Sequence, residues 1–363
     1  MLEARGDPWD MWSASPPSEV ITVDELKARL EQESTTQPSP TAQLFTSTEV
    51  VLDLLDPSID PTQASINDFV ATIAAFYTPS TGRVTIIDRG EPATADQLKQ
   101  NTILLAHELT HYVQDRDSGL SRFEAGADSD DTFFARRSLV EGEADLYMEV
   151  FSFRVQGRDY DTYDWGSWYD DMLTAYTSDV GSAANRLDSG LSLYLYPVGG
   201  RRATAAYVAG GNLAVRALWS APPQSTLAMV TPYGTTAPAT EDYFTCLDPS
   251  VPPLTTLSVQ DRLGAMALYI LAADRWMPAA DAWALVPSWR NDTLWAFATR
   301  SGTVAVWRFR FAAGTDLTAL ATAIEGTPST HDVRVEVSDP QLTLVATDVV
   351  GLLDSWTGWR CNP

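Results

Sequence analysis

The sequence predicts an α+β protein with a mostly helical body, a small strand element near its N-terminal side and a C-terminal β-β-α-β-β unit. Three observations predict this class. Long helix-periodic runs with capping signals fill the middle of the chain. One β-branched run, Arg83 to Asp88, lies between Gly82 and Gly90 and reads as a strand. From about Thr293 onward the pattern changes to apolar–polar alternation around a single helical stretch.

The elements follow in order. Residues 1–45 are rich in Pro, Ser, Thr and Gln and read as an N-terminal arm or linker, with one short helical stretch near Val23 to Glu33. Residues 46–285 form the body. Val50 to Leu55 and Ile66 to Tyr77 read as apolar helical segments. Thr94-Ala95-Asp96-Gln97 fits a capping box and opens a helix that runs to about Asp115. A Gly-, Ser- and Asp-rich stretch, Asp117 to Asp131, leads to a second long helix from about Thr132 to Val155. Thr204 to Trp219 and Val259 to Leu285 read as further helices, and the Pro- and Thr-rich Ser220 to Pro253 as loop. Residues 286–363 form the small C-terminal unit: strands at Thr293–Thr299, Thr303–Phe311, Asp332–Val337 and Leu342–Thr347, with a helix at Asp316–Ile324.

Composition limits the partners. The 363 residues carry 48 acidic and 24 basic side chains, a formal charge of -24. Nucleic acid and anionic membranes both require clustered Lys and Arg, and Lys27 and Lys99 are the only lysines. The longest apolar run, Leu263 to Ala273, is too short to span a bilayer. The first residues, MLEARGDPWDMW, lack signal-peptide architecture. The acidic, lysine-poor surface nonetheless suits a secreted or cell-envelope setting. There Cys246 and Cys361, both in turn-like contexts, can form one disulfide; two buried free thiols are the alternative.

The chemistry concentrates in two helices. Two of the three histidines lie in His107-Glu108-Leu109-Thr110-His111, an HExxH pattern. Four residues on a helix turn about 400° and rise about 6 Å, so both imidazoles share one face and reach one cation. Neutral imidazole is a good zinc ligand. Glu108 lies about 100° round the helix from His107, off the ligand line but placed to take a proton from a metal-activated water. A third ligand is needed, and Glu141 in the following Val140-Glu141-Gly142-Glu143-Ala144-Asp145 is the candidate. Asp145, four residues on, can accept a hydrogen bond from a ligand histidine. Glu143 points elsewhere on the helix. Gly142 is costly in a helix interior, which implies a close packing contact.

HELTH followed by an EGEAD helix resembles the gluzincin branch of zinc metallopeptidases. His107 to Asp115 is also similar to the HExxHxLQDQ stretch of a bacterial zincin-like family, and Leu139 to Ala144 to its LVEGEA helix. Weaker similarities follow at Tyr196 and Gly199, at Gly210-Gly211-Asn212, at Pro222-Pro223-Gln224-Ser225-Thr226, and at Ala305 to Arg308. The resemblance covers roughly Asp88 to Thr347. The family's STEQ continues here as Ser225-Thr226-Leu227-Ala228, and its His-Pro is replaced by Thr231-Pro232.

The resemblance implies a zincin-like body that binds one zinc and hydrolyses a peptide or protein substrate. Glu108 would then serve as general base and Tyr196 as the oxyanion donor. His331, the remaining histidine, reads as a surface residue before a strand, and Arg136 and Arg137 as a solvated face. Two other readings stand: a metal-binding zincin-fold protein that works as a binding or surface protein with little turnover, and a zinc hydrolase of non-peptide substrates.

Overall fold

The computed structural model describes residues 5–6, 15–34, 38–90, 94–158, 160, 162–180, 186–238, 240 and 255–355. The fold is α+β: a mostly helical body carries two sheets among the described residues. No described helix is long and apolar enough to cross a membrane.

The first sheet has the order β1-β3-β2, with β1 (Ser18–Thr22) parallel to β3 (Arg83–Asp88) and β2 (Ala75–Thr78) antiparallel to it. The β-branched run at β3 forms as predicted, burying Val84, Thr85 and Ile87. Residues 1–45 are not simply an arm. Ser18–Thr22 is a paired strand, α1 (Val23–Glu33) starts from a Thr22–Glu25 capping box, and α2 (Pro40–Val51) starts from Ser39. Ile21 and Leu26 bury against Ile87, and that small apolar contact outweighs the polar composition around it. A third helix, α3 (Pro61–Thr72), starts from Asp60 and leads into β2.

Two long helices follow. α4 (Ala95–Ser118) begins at the Thr94–Gln97 capping box and stops at Gly119. After the short α5 (Leu120–Ala125), α6 (Asp130–Val155) is capped by Ser129 and is buried along most of its length. α7 (Trp165–Val180) and α8 (Arg186–Leu193) lead into α9 (Leu195–Ser220), which breaks at Gly210 and Gly211. A close backbone contact joins α6 to α9. A Cβ at Gly142 would lie 2.0 Å from the Gly199 carbonyl carbon, and one at Gly199 would lie 2.0 Å from the Ser138 carbonyl oxygen. Only glycine at both positions lets the backbones approach this closely, which is the packing reason the sequence implied for Gly142.

The second sheet has the order β4-β5-β6-β8-β7, antiparallel throughout. Its strands are β4 (Thr255–Asp261), β5 (Trp289–Thr299), β6 (Thr303–Phe311), β7 (Asp332–Ser338) and β8 (Gln341–Thr347). The predicted β-β-α-β-β unit is present, with Leu317–Glu325 as its helix. It gains β4, whose last three residues, Val259 to Asp261, were read as the start of a helix. The helix there, α11 (Gly264–Leu271), begins only at Gly264, whose φ of 90° interrupts the chain direction. A short helix, α10 (Thr226–Val230), also lies inside the expected loop. One apolar core runs across residue 286. Leu268, Ile270 and Leu271 of α11 belong to the same cluster as Trp289, Trp307, Phe309 and Leu344 of the sheet.

Asp292 joins these parts. Its carboxylate accepts from the Leu263 and Gly264 backbone N–H groups at the start of α11, at 3.0 and 2.8 Å, and from the indoles of Trp289 and Trp307, at 3.2 and 2.8 Å. A fully buried carboxylate with four N–H donors caps the helix and pins it to the sheet. Nearby, Asp131 Oδ1 accepts from the Thr226 backbone N–H and hydroxyl, both at 2.7 Å, so the Pro-Pro-Gln-Ser-Thr segment serves to brace the first turn of α6. Asp292→Ala leaves four buried donors without an acceptor, each worth about 1–3 kcal/mol. Urea denaturation is expected to show a loss of at least about 3 kcal/mol; a change within about 0.5 kcal/mol would contradict this role.

Candidate metal centre

The capping box fixes where α4 begins, and its periodicity carries His107 and His111 onto the face that meets α6. There Glu141 projects between them. His107 Nε2 and His111 Nε2 are 3.0 Å apart, and Glu141 Oε2 lies 3.2 Å from the first and 3.3 Å from the second. All three side chains are buried.

The other nitrogen of each ring decides what these atoms are. Gln114 Nε2 donates to the Val140 carbonyl at 2.9 Å and to Glu143 Oε2 at 3.2 Å, which fixes its amide orientation. Gln114 Oε1 is therefore an acceptor, and His111 Nδ1, 2.9 Å away, is the donor. His107 Nδ1 faces Asp145 Oδ1 at 3.6 Å, an ion-pair contact longer than the hydrogen bond expected from sequence. In the neutral form of each ring Nδ1 thus carries the proton and Nε2 presents a lone pair. Two imidazole lone pairs and a carboxylate oxygen converge on one buried point, an arrangement that repels itself unless positive charge lies between them. Their separations match those of ligands around an ion bound at about 2.0–2.2 Å. The group can hold a metal ion.

The electrostatics agree. Burial opposes a charged His107, yet Asp145 and Glu141 outweigh it and raise its pKa to about 10. Burial also pushes Glu141 up, but the two histidines hold it well below the ordinary carboxylate range. Without a metal, a proton supplies the positive charge that the site demands. Glu108 is buried beside the triad, and burial raises its pKa more than the two histidines lower it. The Tyr77 backbone N–H in β2 donates to it, and the Tyr77 hydroxyl donates to Asp115 at 2.7 Å, so β2 is tied to α4 on both sides of the strand residue. Tyr196 stands in the first turn of α9, its ring centre 6.3 Å from that of His107. Glu141, Asp145 and Glu108 keep its phenol above its usual range, so it remains an O–H donor.

The structure brings His107, Glu108, His111, Glu141, Asp145 and Tyr196 together. Cys246 and Cys361 lie outside the described residues. His331 is elsewhere, with Nε2 3.9 Å from Asp53. Three residues near the centre escape a sequence reading. Gln114 orients His111, and its spacing of three from that histidine was the available signal. Glu143 does not face solvent: it is fully buried and accepts from Gln114 and from the Trp219 indole at 2.6 Å. Arg137, read as a solvated face, places Nη2 3.5 Å from Glu141 Oε1 and Nη1 3.4 Å from Glu124. Tyr160, Tyr163 and Trp165 pack in or against a core cluster with Phe153.

Compared with protein-family models, curated proteins and solved structures, the chain has no match.

Metal analysis of the purified chain is expected to give one equivalent, lost in His107→Ala, His111→Ala and Glu141→Ala. Asp145→Asn should retain the site with about 10–100-fold weaker affinity. A full equivalent in His107→Ala would contradict the triad.

Proposed function

We propose that the chain is a zinc-dependent metallopeptidase of the gluzincin type, with His107, His111 and Glu141 as ligands. The two-imidazole, one-carboxylate donor set favours zinc and leaves the rest of the coordination sphere to water or substrate. Bound zinc supplies Lewis-acid polarisation and a water of lowered pKa.

The observation that carries this reading is Glu108. A protein that only retained a metal has no use for a buried carboxylate beside the ligands but off their line. Its raised pKa brings it nearer the working range of a general base. It takes a proton from the attacking water and passes it to the departing amine. Tyr196 donates to the oxygen on which negative charge develops, and Arg137 steadies the outer oxygen of Glu141. Asp145 and Gln114 hold the two rings in orientation.

Two features support a peptide rather than a compact small molecule. β2, whose Tyr77 meets Glu108, is an edge strand of its sheet among the described residues, and an extended chain can pair with such an edge. Farther along the same two helices lies a groove of about 580 Å³, lined by Leu104, Glu149, Tyr163 and Trp168. The acidic, lysine-poor composition supports a secreted or cell-envelope setting, in which Cys246 and Cys361 would pair.

Digestion of an unbiased peptide library tests this. Glu108→Gln is nearly isosteric, so zinc content should be unchanged while hydrolysis falls by about 10²–10⁴-fold or more. Tyr196→Phe should lower turnover by about 10²–10³-fold. No cleavage by zinc-loaded wild type, or equal cleavage by Glu108→Gln, would sink the proposal.

A further inference from the structure

We infer that Arg5 is a positioning residue of the metal centre: docked from the N-terminal segment, it holds Glu143 so that Gln114 keeps His111 Nε2 turned toward the cation. The inference rests on the metal-centre reading above.

Arg5 precedes Glu143 by 138 residues, yet its side chain is buried against it. Nη2 and Nε of Arg5 lie 3.1 and 3.3 Å from Glu143 Oε1. The same Nη2 is 3.5 Å from Asp117 in the last turn of α4, and the guanidinium lies 5.6 Å over the Tyr147 ring of α6. Arg216 of α9 donates to the Arg5 carbonyl at 3.2 Å. A Cβ on the next residue, Gly6, would lie 2.8 Å from Asn212, which follows the break in α9 and accepts from the Tyr147 hydroxyl at 2.9 Å. One arginine thus touches all three helices that build the centre.

The path inward is short. Glu143 Oε1 faces Arg5, while Oε2 accepts from the Trp219 indole and from Gln114, whose Oε1 accepts from His111 Nδ1. Glu143 is fully enclosed, and among the described residues Arg5 is the cation within ion-pair distance of it. Removing one partner of a buried pair strands the other charge, which is strongly unfavourable. The carboxylate then relaxes by admitting water or turning away. Either motion leaves the Gln114 amide with the Val140 carbonyl alone and loosens it, and with it the His111 ring.

The test uses the full chain. Zn²⁺ affinity is measured by chelator competition for wild type, Arg5→Ala, Arg5→Lys and the double variant Arg5→Ala, Glu143→Gln. Solvent exchange of the Trp219 indole N–H is followed by NMR, with the indole of Trp307, which bonds Asp292, as an internal control. Arg5→Ala is expected to bind Zn²⁺ about 10–100-fold more weakly. Trp219 should lose protection while Trp307 keeps it. Arg5→Lys should fall between, and the double variant should recover most of the affinity, because a neutral amide needs no counter-charge. Wild-type affinity in Arg5→Ala overturns the inference. Equal loss of protection at both indoles also overturns it, since that marks general loosening. If Arg5→Ala does not fold, failure of the double variant to recover affinity decides against it. A wild type that binds no Zn²⁺ instead removes the metal-centre reading itself.

Discussion

Two imidazole lone pairs and a carboxylate oxygen cannot be buried about 3 Å apart without positive charge between them, and much of this structure is organised to keep them there. The capping box at Thr94 sets the helical phase that brings His107 and His111 to one face. The glycine-to-glycine contact of Gly142 and Gly199 packs α9 against the helix that carries Glu141, which places Tyr196 over the site. Gln114 and Asp145 then hold the two rings so that their Nε2 atoms face inward. None of these features stabilises the fold by facing those three acceptors at one another. What they keep in place is a group that can hold a metal ion.

The surrounding charge reinforces the point. Glu108, Glu141, Glu143 and Asp145 are all buried within two neighbouring helices. Burying four carboxylates together is tolerable only when each has donors or a counter-charge. The Tyr77 backbone serves Glu108, and Trp219, Gln114 and Arg5 serve Glu143. Glu141 and Asp145 are left with the two histidines and Arg137, a set that a bound cation completes. The same device appears away from the centre, where Asp292 is enclosed by four N–H donors. An acidic chain that encloses carboxylates in this way makes each a rigid junction between elements.

The cluster of His107, His111 and Glu141 was legible because it follows from local geometry: an i, i+4 pair on one helix, and acidic residues at the same spacing on the next. The C-terminal strands were legible for a similar reason, since period-two alternation survives in sequence. What escaped depends on contacts between distant residues. β1 is a strand because β3 pairs with it and Ile21 meets Ile87, which no local pattern in a Pro- and Ser-rich stretch announces. Glu143 reads only as pointing away from the ligand line, and what it meets there shows once Trp219 and Arg5 are placed beside it. β4 alternates, yet it adjoins an apolar run that resembles helix, and only pairing with β5 separates the two.

The central claim is that these three side chains ligate one cation, and X-ray absorption at the metal edge of the purified protein tests it most directly. The account predicts nitrogen and oxygen neighbours at about 2.0–2.2 Å with longer-range scattering from two imidazoles, and no bound metal in His111→Ala. A bound metal without imidazole scattering, or with a sulfur shell, would contradict it.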